Sequence, residues 1–213
     1  MAKKKEETIV INDVEASVRT MTVTIEGDGD IVLNKMNDVV SRNLIDQRKD
    51  KAKDIQKSNM WEEVITSIHW LNEIKDEFSE ETMLYNLNPE NGNAPCISAF
   101  GLKKSFGDAV VRNGIDTYKT KFDASMNIAA NLVPIQFTEW HLDEKLMSPK
   151  KGSPVLVRLN RFSGWRATFT IRYMENVYSA EQIANIINLA GFGLGIGSGR
   201  SSGYGRYHII DIK

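Results

Sequence analysis

Between Gly191 and Gly205 the chain reads Gly-Phe-Gly-Leu-Gly-Ile-Gly-Ser-Gly-Arg-Ser-Ser-Gly-Tyr-Gly, and Arg206 follows directly. Every glycine adds disorder to the unfolded chain that folding must remove, so such density asks for more reason than a turn, which needs one or two. Main chain without Cβ atoms can approach a ligand closely, and successive amide N–H groups can line a concavity that favours phosphate. The chemistry expected is anion binding through backbone. The guanidinium groups of Arg200 and Arg206 would supply charge and a fork of donors.

Two familiar nucleotide motifs do not fit this stretch. A dinucleotide-binding fingerprint runs strand, glycine loop, helix, with Gly-x-Gly-x-x-Gly spacing; here the third glycine is displaced and the flanking elements come in reverse order. A P-loop needs a glycine five residues before Gly199 and a lysine after it, whereas Leu194 and Arg200 stand there.

Charge supports an anionic partner only locally. The whole chain of 213 residues carries a net charge of -1, from 27 basic and 28 acidic residues, so it is not a globally basic nucleic-acid protein. From Lys151 to Lys213, however, the basic residues Lys151, Arg158, Arg161, Arg166, Arg172, Arg200, Arg206 and Lys213 face only Glu175, Glu181 and Asp211. Phe162, Trp165 and Tyr204 lie among these arginines and offer stacking faces, an interleaving that suits single strands better than duplex grooves. Each aromatic also has an ordinary reading as core, favoured for Phe162, and each arginine one as a solvated strand residue.

Catalytic and metal chemistry find little support. His69, His141 and His208 stand in no recognisable motif, and His-x-x-x-His, His-Glu-x-x-His and usefully spaced carboxylate pairs are missing. Asp143-Glu144, close behind Trp140-His141, is the one candidate cluster. Cys96 is the only cysteine, which excludes an intramolecular disulfide, and it has no neighbouring base in sequence. Neither a cofactor nor a metal site is expected, and the residues do not point to catalysis.

The elements that must position these residues are partly legible. Hydrophobic residues at 41% and charged residues at 26% are ordinary for a folded domain, expected here as a single one over 1–213. No run reaches the roughly eighteen apolar residues of a membrane span, and Met1 to Glu7 lead into no secretory pattern; with the lone cysteine this points to the cytoplasm. Thr20 to Glu26 alternates as a half-buried strand before a turn at Gly27 to Asp30. The charge-crowded stretch from Val39 to Lys57 reads as an exposed helix or excursion. A helical stripe follows through Trp61, Val64, Ile65, Ile68 and Leu71, so that 39–78 forms a helical or mobile insertion. Asn86 to Pro95 is a loop. Phe100 to Val111 suggests a helix with Lys103 and Lys104 on one flank, ended by Gly114, and Ile115 to Ala129 suggests another. Val155 to Leu159 and Ala167 to Tyr173 read as a hairpin turning at Gly164. Ser179 and Gln182 form a capping box that opens a helix toward Gly191, and Tyr204 to Ile212 is the final strand. Helices over one face of an antiparallel sheet make this α+β, ferredoxin-like.

Gly197-Ser198-Gly199-Arg200-Ser201-Ser202-Gly203-Tyr204-Gly205-Arg206 resembles the C-terminal glycine-rich loop of the RAMP superfamily, the CRISPR-associated RNA-binding proteins, in sequence and in its place between the last helix and the last strand. The wider layout, with a strand ending near Leu33-Asn34-Lys35-Met36 and a loop at Pro95 to Phe100, is similar to phage-encoded relatives of the RAMP backbone subunit. The motif covers about the last forty residues; elsewhere only the layout is similar. The resemblance implies a non-enzymatic protein that binds single-stranded RNA or DNA in the cytoplasm of a host and assembles along it as a homo-oligomer or filament. The implied nucleic-acid-binding set is Gly197, Gly199, Arg200, Ser201, Gly203, Tyr204, Arg206, Arg158, Arg161, Trp165, Arg166, Lys103 and Lys104. Two alternatives follow from the same resemblance. One is a metal-independent endoribonuclease using a histidine. The other is a phage interaction protein that interferes with a host effector.

Overall fold

The computed structural model describes residues 17–48, 59–74, 77–147 and 155–213. In chain order the elements are β1 (Val18–Gly27), β2 (Ile31–Leu33), α1 (Asp38–Arg48), α2 (Met60–Thr66), β3 (His69–Trp70), α3 (Glu80–Leu87), β4 (Pro95–Ser98), α4 (Ala99–Arg112), α5 (Thr120–Ser125), β5 (Met126–Ile128), β6 (Leu132–Gln136), β7 (Glu139–Met147), β8 (Val155–Ser163), β9 (Arg166–Met174), α6 (Ala180–Gly193) and β10 (Tyr207–Ile212). The class is α+β, with antiparallel pairing throughout.

The larger sheet has the order β10-β1-β9-β6-β4-β3, with β5 also paired to β9. Period-two alternation in β1 and β9 gives this sheet two unlike faces. Met21, Val23, Ile25, Ala167, Phe169, Ile171 and Tyr173 are buried. They share one core with Leu102, Phe106, Ala109 and Val110 of α4 and Ile183, Ile186, Ile187 and Ala190 of α6. The rings of Phe106 and Phe169 lie 6.1 Å apart, centroid to centroid. On the opposite face Thr22 pairs with Thr170 at 3.2 Å and Thr24 with Thr168 at 3.0 Å, hydroxyl to hydroxyl. The capping box forms as the sequence predicts: Gln182 N–H donates to Ser179 Oγ at 3.2 Å, and Ser179 N–H donates to Gln182 Oε1 at 2.9 Å. Such a cap contributes about 1 kcal/mol.

The smaller sheet has the order β2-β8-β7 and corrects the expected hairpin. β8 and β9 do not pair with each other. β8 lies between β2 and β7, while β9 belongs to the larger sheet, so the chain turns a corner at Ser163-Gly164-Trp165 from one sheet into the next. A strand pattern specifies which face is apolar but not which neighbour completes the ladder. Two helices are also shorter than their apolar stripes suggest. α2 ends at Thr66, leaving His69 and Trp70 in β3 and Leu71 exposed; Met126 and Ile128 leave the second stripe to become β5. The charged stretch begins as α1, and residues 49–57 of it lie outside the described residues.

Candidate nucleic-acid interface

The glycine segment leaves α6 and is pinned along β2 before it reaches β10. Ser198 N–H donates to the Val32 carbonyl at 2.8 Å, Ser198 Oγ to the Asn34 carbonyl at 3.1 Å, and Gly205 N–H to the Asp30 carbonyl at 2.8 Å. A Cβ on Gly197, whose φ is +77°, would lie 2.6 Å from the Val32 carbonyl oxygen. This stretch therefore lacks side chains chiefly because it packs main chain against main chain. Only the tip projects, as a short 3-10 turn over Arg200–Ser202. Gly199, Ser201 and Gly203 are exposed there. Tyr204 is half-buried, with Lys145 Nζ 5.5 Å from the centre of its ring.

Between this segment, the end of β2 and the start of α4 lies a cleft of about 230 Å³. Lys35, Lys104 and Arg200 line it together with His69, Ser98 and Gly197, and no carboxylate does. Lys104 and Arg200 have no carboxylate partner among the described residues, and Lys35 Nζ meets Asp38 only at 3.8 Å. The positive end of α4 adds to this field, because Ser98 makes no side-chain cap. Burial lowers the pKa of His69, and the charge of Lys35 lowers it further, so the imidazole is neutral at neutral pH. Burial pushes the Cys96 thiol up to about 12, which leaves it unreactive in the cleft wall.

The expected site residues divide sharply around this cleft. Gly197, Arg200 and Lys104 line it. Lys103 lies on the other flank of α4, beside Phe100 and Asn127. Arg206 is half-buried, and its Nη1 donates to the Phe192 carbonyl at 2.9 Å. Three of the four arginines of β8 and β9 are held by carboxylates. Arg158 Nε meets Glu144 at 2.8 Å and its Nη1 meets Glu63 at 3.3 Å. Arg161 donates to Asp143 at 2.8 and 3.2 Å and to Asp30 at 2.6 Å. Arg166 reaches Glu26 at 2.7 Å. Trp165 offers no stacking face: it is 0% exposed, and its Nε1 donates to the Gly29 carbonyl at 2.8 Å. Phe162 is core, in edge contact with Phe137.

Lys35, Ser98 and Gly101 were not singled out from sequence. Their signal is positional: Lys35 follows the end of β2, and Ser98 joins β4 to α4. His69 stands in no recognisable motif, and only the fold brings it beside the cations. Among the described residues no group of histidine, cysteine, aspartate or glutamate has the arrangement of a metal site, and no helix is long and apolar enough to cross a membrane.

No family model and no curated protein matches the sequence. Among solved structures the chain is similar to one in the cryo-EM structure of the type III-B Cmr-beta bound to cognate target RNA. That likeness has 12% identity and a TM-score of 0.54, over 92% of this chain and 60% of the other, so this protein spans about 60% of its neighbour's length. Cmr6 from Pyrococcus furiosus aligns at 9% identity with a TM-score of 0.42, over 91% of this chain and 98% of that one. The fold of this protein is thus α+β and similar to that of a chain in the type III-B Cmr-beta structure.

Proposed function

We propose that this protein binds single-stranded RNA without cutting it, laying the sugar-phosphate backbone in the cleft between the glycine segment and α4. The observation that carries the reading is the lining of that cleft, where Lys35, Lys104 and Arg200 converge and no carboxylate competes. Three cations on a narrow cleft suit a strand of phosphates, and the exposed backbone at the tip lets the polyanion approach. RNA is preferred over DNA in this reading because the fold neighbour belongs to a structure bound to target RNA. In the accompanying fold reading β1, α4, β6, β9, α6 and β10 are a ferredoxin-like unit, with 39–78 inserted and the glycine-rich loop before its last strand. Copies assemble side by side along the strand. Fluorescence anisotropy with a single-stranded RNA at low salt tests the binding: the wild type binds, and Lys104→Ala combined with Arg200→Ala does not. Failure of the wild type to bind rejects the reading.

His69 favours a second reading, a metal-independent endoribonuclease. Its neutral imidazole lies in the same cleft as three cations, placed to take the proton of a 2′-hydroxyl as that oxygen attacks the adjacent phosphorus and the bond to the 5′-oxygen breaks; the 5′-oxygen leaves with a proton from water, and a 2′,3′-cyclic phosphate remains. Cleavage of RNA in the presence of a chelator, lost in His69→Ala, would select this reading over simple binding.

A further inference from the structure

Two further cavities follow the cleft beside α4. One, of about 490 Å³, shares Ser98 with the cleft and adds Phe100, Lys103, Asn127 and Asn131. The next, of about 310 Å³, shares Lys103 and Asn127 with it and adds Arg172. Shared lining residues set the three hollows side by side along a path, with cations at both ends and Lys103 on the wall between the last two. Arg172 has no carboxylate partner among the described residues. Asp123 also borders the last hollow, with Lys119 Nζ 3.9 Å from its carboxylate.

Phe100 stands in the middle of this path. It is 76% exposed, although the hydrophobic effect favours burying a phenyl ring. At spacings of three and four residues Lys103 and Lys104 flank Phe100 on either side along α4, so an apolar disc sits between ammonium groups suited to phosphates. Asn127 and Asn131, across the hollow, carry amides that can donate to and accept from a base edge.

We propose that Phe100 is a base-stacking platform. A single strand whose phosphates occupy the Lys104 and Arg200 cleft passes over Ser98, stacks a base on Phe100, and rests its following phosphates near Lys103 and Arg172. Stacking on one ring is tolerant of sequence, because every base has a flat face. This inference rests on the proposed function and gives its site a length and a direction.

The test compares a single-stranded RNA with an abasic sugar-phosphate strand of equal length and charge, titrated into wild type, Phe100→Ala, Phe100→Trp and Phe192→Ala. Phe192 is 83% exposed but lines none of the three hollows, so it controls for exposed aromatic area in general. Phe100→Ala is expected to weaken binding of the base-bearing strand about tenfold and to leave the abasic strand unchanged. Phe100→Trp and Phe192→Ala should both retain wild-type affinity. Equal affinity of wild type and Phe100→Ala for the base-bearing strand overturns the inference while leaving the cleft reading intact, and assigns the ring to a protein contact instead. Binding of neither strand by the wild type defeats the cleft reading, and the platform with it.

Discussion

The N–H of Ile196 donates to the carbonyl of Gly205 at 3.0 Å, and a Cβ on Gly205, whose φ is +70°, would sit 1.8 Å from the carbonyl oxygen of Ile196. The two ends of the glycine segment are pinched together as a narrow ladder. Gly205→Ala must open that ladder and hold a left-handed backbone. It should lower the unfolding free energy by about 2–4 kcal/mol. A Cβ on Gly193 would meet no atom within 4 Å, so Gly193→Ala should stay within about 0.5 kcal/mol of wild type. Urea denaturation of both variants checks the contrast, and equal stabilities would refute the pinch.

Salt dependence separates the cleft from the other arginines. If Lys104 and Arg200 each neutralise a phosphate, removing either flattens the plot of log K against log salt by about 0.7, the single-strand increment per contact. Arg166→Ala should leave the slope unchanged, since its guanidinium already faces Glu26. Anisotropy titrations over a range of salt concentrations give the slopes directly.

Arg161 of β8 ties β7 and the turn before β2 together through two carboxylates. Its hydrogen bond to Asp143 is the main influence holding that carboxyl below the usual range. For Asp30 burial is the largest influence and pushes upward, but hydrogen bonds from Arg161 and Ser163 together with the charges of Arg161 and His141 bring the net direction down. Carboxyls depressed in the fold stabilise it above their ordinary pKa of about 3.9, and that stabilisation disappears as pH falls through the depressed values. Arg161→Ala should therefore cost about 1–2 kcal/mol at neutral pH, and less below pH 3. Melting temperatures from pH 2 to 7 for the two proteins should converge at the acid end.

His69 works through the same linkage in a different window. Its pKa is lowered in the fold by burial and then by Lys35, so between the folded value and the ordinary value near 6.5 the unfolded chain binds more protons than the native one. Stability contributed by the neutral ring is present above about 6.5 and lost as pH falls through the lowered folded value. His69→Gln, which cannot titrate, should have a shallower loss of melting temperature between pH 7 and pH 5. Parallel pH profiles would show that the ring takes up protons equally in both states.

Some of this was readable in the sequence because local physics suffices for it. Alternation over Thr20 to Glu26 marks β1, whose apolar set Met21, Val23 and Ile25 is buried. The Ser179 and Gln182 cap marks the start of α6. Local pattern failed where a partner had to be named. The ladders of β8 lie on β2 and β7, although β9 follows it in sequence after a two-residue turn. The second apolar stripe reads as one helix, yet pairing with β9 draws Met126 to Ile128 into a strand.

By itself the sequence determined where the glycine segment falls between helix and strand, and which faces of β1, β9 and α6 are apolar, because glycine content and hydrophobic period are properties of neighbouring residues. Charge was decided by the tertiary structure. The C-terminal third looks cationic on paper, but Arg158, Arg161 and Arg166 are answered by Glu63, Asp30 and Glu26, which lie far away along the chain. The cleft cations Lys35, Lys104 and Arg200 come from three separate parts of the chain. Electrostatic interaction depends on distance in space, and only folding sets that distance.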